Sequence, residues 1–353
     1  MVMPIKELID RIGPLDDTAM DAARARQDTL TKPRGSLGRL EALSVQLAGI
    51  FGDPRPRIRH KVIVTMAGDH GVVAEGVSAY PQAVTAQMMD NFLRGGAAIN
   101  VLARHVGARV VIVDMGVAAD VDPHPDLVVK KVARGTSNLA RGPAMTRQQA
   151  SRALMAGAEV VGAELAQGLD VLGVGEMGIG NTTPAAAIAA ALIGCPAAEV
   201  VGRGTGVVDA GLGRKVMAVE NALSVNQPDP ADALDVLTKV GGFEIGGIAG
   251  AMLAAAAHRR PVMVDGFIST AAAMIAVGLV PEMKSYLVAA HRSQEHGHGR
   301  MLEWLGLEPL LELDMRLGEG TGAALGMSLV ETACKILDEM ATFGEAGIAG
   351  KAG

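Results

Sequence analysis

One carboxylate near the end of the chain lies among glycines, just before a predicted helix. Glu319 belongs to the string 316–322, which contains three glycines, and an apolar helical pattern follows at 323–330. Glycines permit tight turns, and a helix start leaves backbone N–H groups unpaired. With Leu313 and Leu317 nearby to exclude water, burial would raise the pKa of Glu319 and let it accept a proton near neutral pH. The alternative is a solvated glutamate in a helix cap.

A second glycine-rich string, 173–184, contains the pattern Gly-x-Gly-x-x-Gly. After a strand this pattern suggests a nicotinamide-dinucleotide site, which also needs an acid about 20 residues later at a strand end. Glu199 is the match, but it lies at the start of a short predicted strand, 199–202. The helix also begins late, with Thr183 as the expected N-cap and Pro184 as its first residue. The string therefore favours a phosphate monoester at a helix N-terminus, with an unliganded tight turn as the alternative.

A second glycine loop and two cations could complete such an anion site. Residues 202–206 have the same character, and Arg203 and Lys215 could neutralise a phosphate held there. Either cation alone would more often be a surface residue. Glu176 would repel a phosphate, so we expect it to accept hydrogen bonds from sugar hydroxyl groups. Asp265 follows a predicted strand, where it either caps the next helix or binds a ligand hydroxyl.

Apolar runs that alternate with helical segments predict the scaffold. Runs typical of buried parallel strands lie at 62–67, 109–115, 170–175 and 261–266, and helices are expected at 82–105, 147–167, 184–193, 209–224, 245–258 and 269–278. This alternation predicts an α/β fold with a mostly parallel, Rossmann-like sheet flanked by helices. Ligands bind at the carboxyl ends of such strands, which would bring the glycine loops together. Residues 1–55 look like a separate helical segment.

Composition and charge exclude several classes of function. A net charge of −6 without a Lys/Arg run and an aromatic content of 2% disfavour nucleic acid and anionic membranes as partners. The two cysteines lack metal-type spacing, and His291, His296 and His298 have no carboxylate or thiolate at recognisable spacing, so no metal is expected. The longest apolar run, 268–280, is too short to cross a bilayer, and the N-terminus lacks a signal-peptide pattern. We therefore expect a cytoplasmic protein.

Several strings taken together resemble the nicotinate-nucleotide–dimethylbenzimidazole phosphoribosyltransferase family. They occur in order over nearly the whole chain, at 32–38, 67–72, 175–182, 202–206, 265–268, 316–322 and 342–347. Any one of these strings is weak evidence, whereas the ordered set is specific.

The resemblance implies an enzyme, a pentosyltransferase of cobalamin nucleotide-loop assembly. Its reaction would convert nicotinate mononucleotide and 5,6-dimethylbenzimidazole into α-ribazole 5′-phosphate and nicotinate, with inversion at the sugar carbon and without a cofactor. The resemblance also implies a homodimer, with a Rossmann-like large domain at 56–334 and a small helical domain at 1–55 on which 335–353 would pack. The family's catalytic base is the glutamate of the motif that matches 316–322, which here is Glu319.

The resemblance also suggests where the two substrates bind. Phosphate and ribose are expected on the glycine loops and the turn before Glu319, through Glu176, Gly178, Gly180, Asn181, Thr182, Arg203, Gly204, Thr205, Lys215 and Gly318. The aromatic base is expected in an apolar pocket, for which the candidates are Tyr80, Gln87, Met177 and Leu317. One position departs from the family: its members tend to have paired acids after the second glycine loop, whereas this chain has Val208 before Asp209.

Two other classes of function stay open at this point. An oxidoreductase that uses a nicotinamide dinucleotide would need the acid that the spacing fails to supply. A nucleotide-binding protein without catalysis would bind the same ligands without turnover, and the intact Glu319 argues against it.

Overall fold

The computed structural model describes residues 5–204, 206 and 208–349. In this part of the chain six strands form one sheet: β1 (Lys61–Gly68), β2 (Ala108–Gly116), β3 (Leu127–Val129), β4 (Val171–Met177), β5 (Val262–Val264) and β6 (Leu287–Ala289). Every neighbouring pair is parallel, in the order β3-β2-β1-β4-β5-β6. The predicted α/β fold with a parallel, Rossmann-like sheet is confirmed. Because the order reverses between β1 and β4, a ligand crevice is expected outside their carboxyl ends.

Helices flank this sheet. In the described residues they are α1 (Ile5–Arg11), α2 (Asp17–Gln27), α3 (Arg39–Phe51), α4 (Ala83–Leu93), α5 (Ala98–Val106), α6 (Arg147–Gln167), α7 (Thr182–Ile193), α8 (Asp209–Asn226), α9 (Ala233–Val240), α10 (Phe243–Ala257), α11 (Phe267–Leu279), α12 (His298–Leu305), α13 (Thr321–Glu339) and α14 (Phe343–Ala346). Short 3-10 helices span Gly71–Glu75, Ala197–Glu199 and Pro281–Tyr286. Among the described helices, none is long and apolar enough to cross a membrane.

Successive residues of β1 face opposite sides of the sheet and enter two different cores. Val62 and Val64 pack with α10 and α11 on one side, whereas Ile63 packs with α5 and α13 on the other. All three side chains are fully buried. A strand covered on both faces needs an unbroken apolar run, which explains why β1 was recognisable in the sequence.

Helices α6 and α10 touch through their backbones. A Cβ atom added to Gly157 would lie 1.8 Å from the carbonyl oxygen of Gly247, and one added to Gly250 would lie 1.8 Å from that of Leu154. No side chain fits in either place. Close backbone packing thus accounts for part of the chain's high glycine content.

Helix α2 contacts the C-terminal end of α13, which also pairs with the start of β1 through Lys61 and Glu331. Arg26 of α2 donates hydrogen bonds to the carbonyl oxygens of Leu337, Asp338 and Met340, and Leu30 forms a β-bridge with Thr342. The expected boundary between 334 and 335 falls inside α13, so the C-terminal segment continues the helix that starts next to Glu319. The division into two domains stays a prediction.

The structure differs from several of the predicted elements. The predicted strand at 199–202 is wrong: Ala197–Glu199 forms a 3-10 helix after Pro196, and Val200 is buried without a pairing strand. The predicted helix at 82–105 is two helices, because Gly95 adopts a φ of +76° between them. Strands β3 and β6 were not predicted. Strand β5 is equally short, but its apolar run was recognised because Asp265 and Gly266 follow it directly.

Substituting a glycine at the α6–α10 contact tests this packing. Gly157→Ala is expected to lower the free energy of unfolding by about 2 kcal/mol or more, because the added methyl group overlaps a backbone carbonyl. Gly162→Ala in the same helix is the matched control, since nothing lies within 4 Å of its added Cβ. It should stabilise the helix by roughly 0.5–1 kcal/mol. Urea unfolding of both variants measures the difference, and equal effects would contradict the close contact.

Candidate active site

A cavity of about 400 Å³ opens at the carboxyl ends of the central strands. Its wall comes from the segments that follow β4, β5 and β6, from the turn before α13 and from α4. The described lining residues are Tyr80, Val84, Met88, Glu176, Met177, Gly178, Ile179, Asn181, Thr182, Gly204, Gly266, Phe267, Ile268, His291, Ser293, Glu295, Arg316, Leu317, Gly318 and Glu319. The lining therefore combines apolar side chains with three carboxylates.

The backbone of Glu319 is held from two strands. The hydroxyl of Thr65 in β1 donates to the Glu319 carbonyl oxygen at 2.8 Å, and the Glu319 N–H donates to the carbonyl oxygen of Glu176 at 3.2 Å. Glu319 has a φ of +64°, a left-handed conformation that costs energy for a residue with a side chain. A Cβ on Gly175 would lie 2.2 Å from the Glu319 carbonyl group. Only glycine at 175 leaves room for this conformation.

Asp265 fixes the helix that begins just after Glu319. One carboxylate oxygen accepts the N–H groups of Gly322 at 2.6 Å and Ala323 at 3.0 Å, and the other accepts that of Gly320 at 3.2 Å. Asp265 is 1% exposed and caps α13 rather than α11, the helix that follows it in sequence. Of the two roles considered for it, the structure shows a cap, although of a different helix.

The carboxylate of Glu319 reaches the cavity but is largely buried. It is 5% exposed, and its Oε2 accepts the backbone N–H of Ile99 at 3.2 Å. Burial raises the pKa of Glu319, and the nearby Asp265 raises it further, whereas the Ile99 N–H lowers it. The side chain is therefore an acceptor with a higher proton affinity than an ordinary glutamate.

Glu176 is a second buried carboxyl group at the end of β4. Burial raises its pKa to about 8, and Asp265, Glu244 and Glu319 add to the shift. Asn181 donates a short hydrogen bond to it, which acts in the opposite direction. Near neutral pH this group is therefore largely protonated and able to donate a hydrogen bond as well as accept one.

Lys215 is buried behind the second glycine loop. Its Nζ donates to Thr182 Oγ1 at 2.8 Å and to the carbonyl oxygen of Gly202 at 2.9 Å. Burial lowers the pKa of Lys215 to about 8, while Glu295 opposes that shift. Glu295 also accepts the N–H of Gly204 at 3.3 Å. A cation therefore lies against the first turn of α7, where backbone N–H groups favour an anion.

Comparisons with known proteins identify the family. A family model described as phosphoribosyltransferase matches residues 12–348. The nicotinate-nucleotide–dimethylbenzimidazole phosphoribosyltransferase of Roseiflexus sp. (strain RS-1) is 61% identical over 98% of both chains, and that of Desulforudis audaxviator is 59% identical over the same shares. The chain belongs to this phosphoribosyltransferase family. The solved structure of the enzyme of that name from Thermus thermophilus superposes with a TM-score of 0.91 at 48% identity, covering 96% of this chain and 100% of that one. The predicted family resemblance is confirmed.

The structure brings most of the residues that were predicted to bind substrates or accept a proton into one cavity. Tyr80, Glu176, Met177, Gly178, Asn181, Thr182, Gly204, Leu317, Gly318 and Glu319 all line it. Lys215 contacts Thr182 from behind. Gly180 is buried next to Val73 with a φ of +88°, so it shapes the loop rather than the described lining. Thr205 lies outside the described residues.

Three other positions named in the sequence analysis are not among the lining residues of this cavity. Gln87 is exposed on α4, and its neighbours Val84 and Met88 reach the cavity instead. Arg203 is exposed, pairs with Asp209 and lines an adjoining cavity of about 450 Å³. Val208 is 71% exposed at the start of α8.

Sequence reasoning missed the wall that follows β6. His291, Ser293 and Glu295 line the cavity there. The signal was a short apolar run at 287–290, too brief to be recognised as a strand. Without that strand, the polar loop after it had no predicted place in the site.

Two of the three clustered histidines, His291 and His298, have structural partners. His298 is fully buried between Thr270 Oγ1 at 2.9 Å and the N–H of Ser293 at 2.8 Å, and burial lowers its pKa to about 3. His291 lies 3.6 Å from Asp265. Within the described residues, no three His, Cys, Asp or Glu side chains are grouped to hold a metal ion.

The role of Asp265 can be tested by unfolding. Asp265→Ala leaves the buried N–H groups of Gly320, Gly322 and Ala323 without their acceptor, so it should lower the free energy of unfolding by about 3 kcal/mol or more. Asp232→Ala removes a partly exposed cap of α9 and should cost about 1 kcal/mol. Urea denaturation compares the two variants, and a similar small cost for both would contradict the role of Asp265.

Proposed function

We propose that this chain transfers the phosphoribosyl group of nicotinate mononucleotide to 5,6-dimethylbenzimidazole, as the names of its relatives indicate for those enzymes. The observation that carries the proposal is a buried carboxylate, Glu319, whose pKa is raised beside an apolar wall. Such a group can accept a proton from an aromatic base held against that wall. The products would be α-ribazole 5′-phosphate and nicotinate.

Proton transfer is needed on one side of this reaction only. The pyridinium nitrogen of the substrate leaves as neutral nicotinate nitrogen when its bond to the sugar carbon C1′ breaks. The attacking benzimidazole nitrogen would become cationic unless the other ring nitrogen lost its proton, and Glu319 accepts that proton. A β-linked substrate and an α-linked product fit one in-line displacement with inversion. The protein then acts mainly by positioning two reactants.

The aromatic base is assigned to the apolar side of the cavity. Tyr80, Met177 and Leu317 provide part of that side, together with Val84 and Met88 of α4. A benzimidazole ring there would have its N–H directed at the Glu319 carboxylate. Gln87 lies outside this wall, so a contact between it and the base would require α4 to rotate.

The phosphate and ribose are assigned to the polar side. Lys215, Thr182 and Gly204 form the proposed phosphate site with the N-terminus of α7. Glu176 is assigned to the ribose hydroxyl groups: Asn181 donates a hydrogen bond to it, and Gly318 leaves room for its carboxyl group. The protonated form of Glu176 avoids repulsion of the phosphate. Gly178, Gly180, Arg203 and Thr205 belong to the loops that would surround it.

Exposed apolar residues at the cavity mouth support a homodimer. Tyr80 and Leu317, which line the cavity, are 53% and 57% exposed, and Leu313, four residues before Leu317, is 52% exposed. Large apolar side chains grouped at a rim are typical of a surface that a partner covers. We propose that a second copy of this chain covers them, and that the enzyme works in the cytoplasm.

Glu319→Gln tests the proton acceptor. Nicotinate release that depends on dimethylbenzimidazole should fall by roughly 100- to 10,000-fold, because glutamine has the same size but accepts no proton. The wild-type enzyme should lose activity on acidification with a midpoint above the usual glutamate pKa, since burial raises that of Glu319. The remaining activity of the variant should not show this fall in rate at low pH, the acid limb of the pH–rate profile.

Glu312→Gln is the matched control for this experiment. Glu312 is exposed and pairs with Arg292, so its substitution should leave the rate and the acid limb unchanged. Full activity in Glu319→Gln would move the base elsewhere. No nicotinate release by the wild type under any condition would contradict the transferase itself.

Lys215→Gln tests the phosphate site. The KM for nicotinate mononucleotide should rise roughly 10- to 100-fold, the effect of losing one charge-assisted hydrogen bond, with a smaller change in kcat. Because the pKa of Lys215 is lowered to about 8, the wild-type KM should also rise above that pH as the cation is lost. The variant should show a smaller rise, because only the ionisation of Glu176, whose pKa is also raised to about 8, still weakens phosphate binding there. Arg214→Gln, which removes an exposed cation from the preceding position, should behave like wild type.

A further inference from the structure

One side chain joins the end of α4 to the start of α5. The Oδ1 of Asn100 accepts the N–H of Ala97 at 3.1 Å, and its Nδ2 donates to the carbonyl oxygen of Phe92 at 3.1 Å. Ala97 precedes the first residue of α5, and Phe92 belongs to the last turn of α4. A residue at the third helical position that reaches back to the N-cap N–H defines where a helix begins. Asn100 therefore sets both the start and the placement of α5.

The start of α5 is also what contacts Glu319. Ile99, the neighbour of Asn100, donates its backbone N–H to Glu319 Oε2 at 3.2 Å. Ile99 is fully buried, so water does not compete for this hydrogen bond. An N–H at a helix N-terminus carries the positive end of the helix dipole, which stabilises a carboxylate.

The other helix that Asn100 contacts belongs to the cavity wall. Val84 and Met88 of α4 line the cavity, and Phe92, one turn further, is 2% exposed. Asn100 thus bonds to the helix of the apolar wall and defines the helix that holds the carboxylate. Residues that shape both sides of a site in this way affect the geometry between them.

We propose that Asn100 is a positioning residue for Glu319: it holds the start of α5 so that the Ile99 N–H binds the carboxylate and orients it toward the apolar wall. This inference rests on the proposed function for its catalytic meaning. The structural part of the inference, the hydrogen bond from the start of α5 to Glu319, is independent of that function.

Several charged or titratable side chains lie around the cavity that contains Glu319. A substitution of Asn100 removes or adds none of these charges. Among the described residues, Asp265 and Glu176 lie close to Glu319, and His291, Glu295 and Arg316 line the same cavity. His70 pairs with Glu244, which interacts with Glu176. On α4 and α5, Asp90 and Arg94 pair with each other at the surface, and Arg104 donates to the Gly95 carbonyl oxygen from an exposed position. A change in the titration of Glu319 in neutral Asn100 variants would therefore indicate that the start of α5, with the Ile99 N–H, has moved.

The experiment is a direct titration of Glu319 in the full-length protein. Glutamate labelled with ¹³C at the side-chain carboxyl is followed by NMR against pH, and the Glu319 signal is assigned by its absence in Glu319→Gln. In Asn100→Ala the midpoint should rise by roughly 0.5 pH unit, because the stabilising N–H moves away. The acid limb of nicotinate release should shift the same way.

Two matched variants separate positioning from general destabilisation. Asn100→Gln can still reach the Ala97 N–H and should restore the wild-type midpoint. Asn91→Ala makes the same chemical change on α4 without removing either hydrogen bond of Asn100, and it should leave the midpoint unchanged. If Asn100→Ala does not fold, Asn100→Leu is the second variant: it keeps a similar side-chain size, adds no charge and makes neither hydrogen bond, so the midpoint should again rise.

The outcomes are distinct. An unchanged Glu319 midpoint in Asn100→Ala or Asn100→Leu would overturn the inference, as would a shift that does not appear reversed in Asn100→Gln. Absence of base-dependent nicotinate release from the wild type would overturn the proposed function instead, while the carboxyl titration would still decide the role of Asn100.

Discussion

The hydrogen bonds from Asp265 to the start of α13 are the interaction on which the site depends. They join the end of β5 to a segment 57 residues further along the chain. Glu319 immediately precedes that segment, so its position follows from the cap. Thr65 and the backbone of Glu176 then fix the Glu319 peptide groups from β1 and β4. Four separated parts of the sequence thus converge on one residue.

Close approach of backbones is the second constraint. The chain has few aromatic residues and many glycines, and it packs by bringing main chains together. Helices α6 and α10 touch at glycines, and the same kind of backbone contact occurs at Gly175, which makes room for the left-handed turn at Glu319. Packing density and site geometry therefore rest on the same residue type.

The sequence predicted the long strands, the sheet and the two glycine loops because each carries a strong local pattern. It did not predict β6, which has three residues, and so the wall containing Glu295 was missed. Asp265 was expected either to cap the next helix or to bind a ligand hydroxyl, whereas its contact with α13, distant in sequence, has no local signal. Gln87 was named without regard to helical phase: Val84 and Met88, four residues apart, share the face of α4 that reaches the cavity.

The conformation of Glu319 implies a conflict between folding and activity. A left-handed φ costs a residue with a side chain roughly 1 kcal/mol, and a carboxyl group whose pKa is raised by burial opposes folding once it is ionised. Glycine at this position would relieve both effects. Stability alone would therefore favour glycine at this position, so the chain carries this carboxylate at a cost in folding free energy.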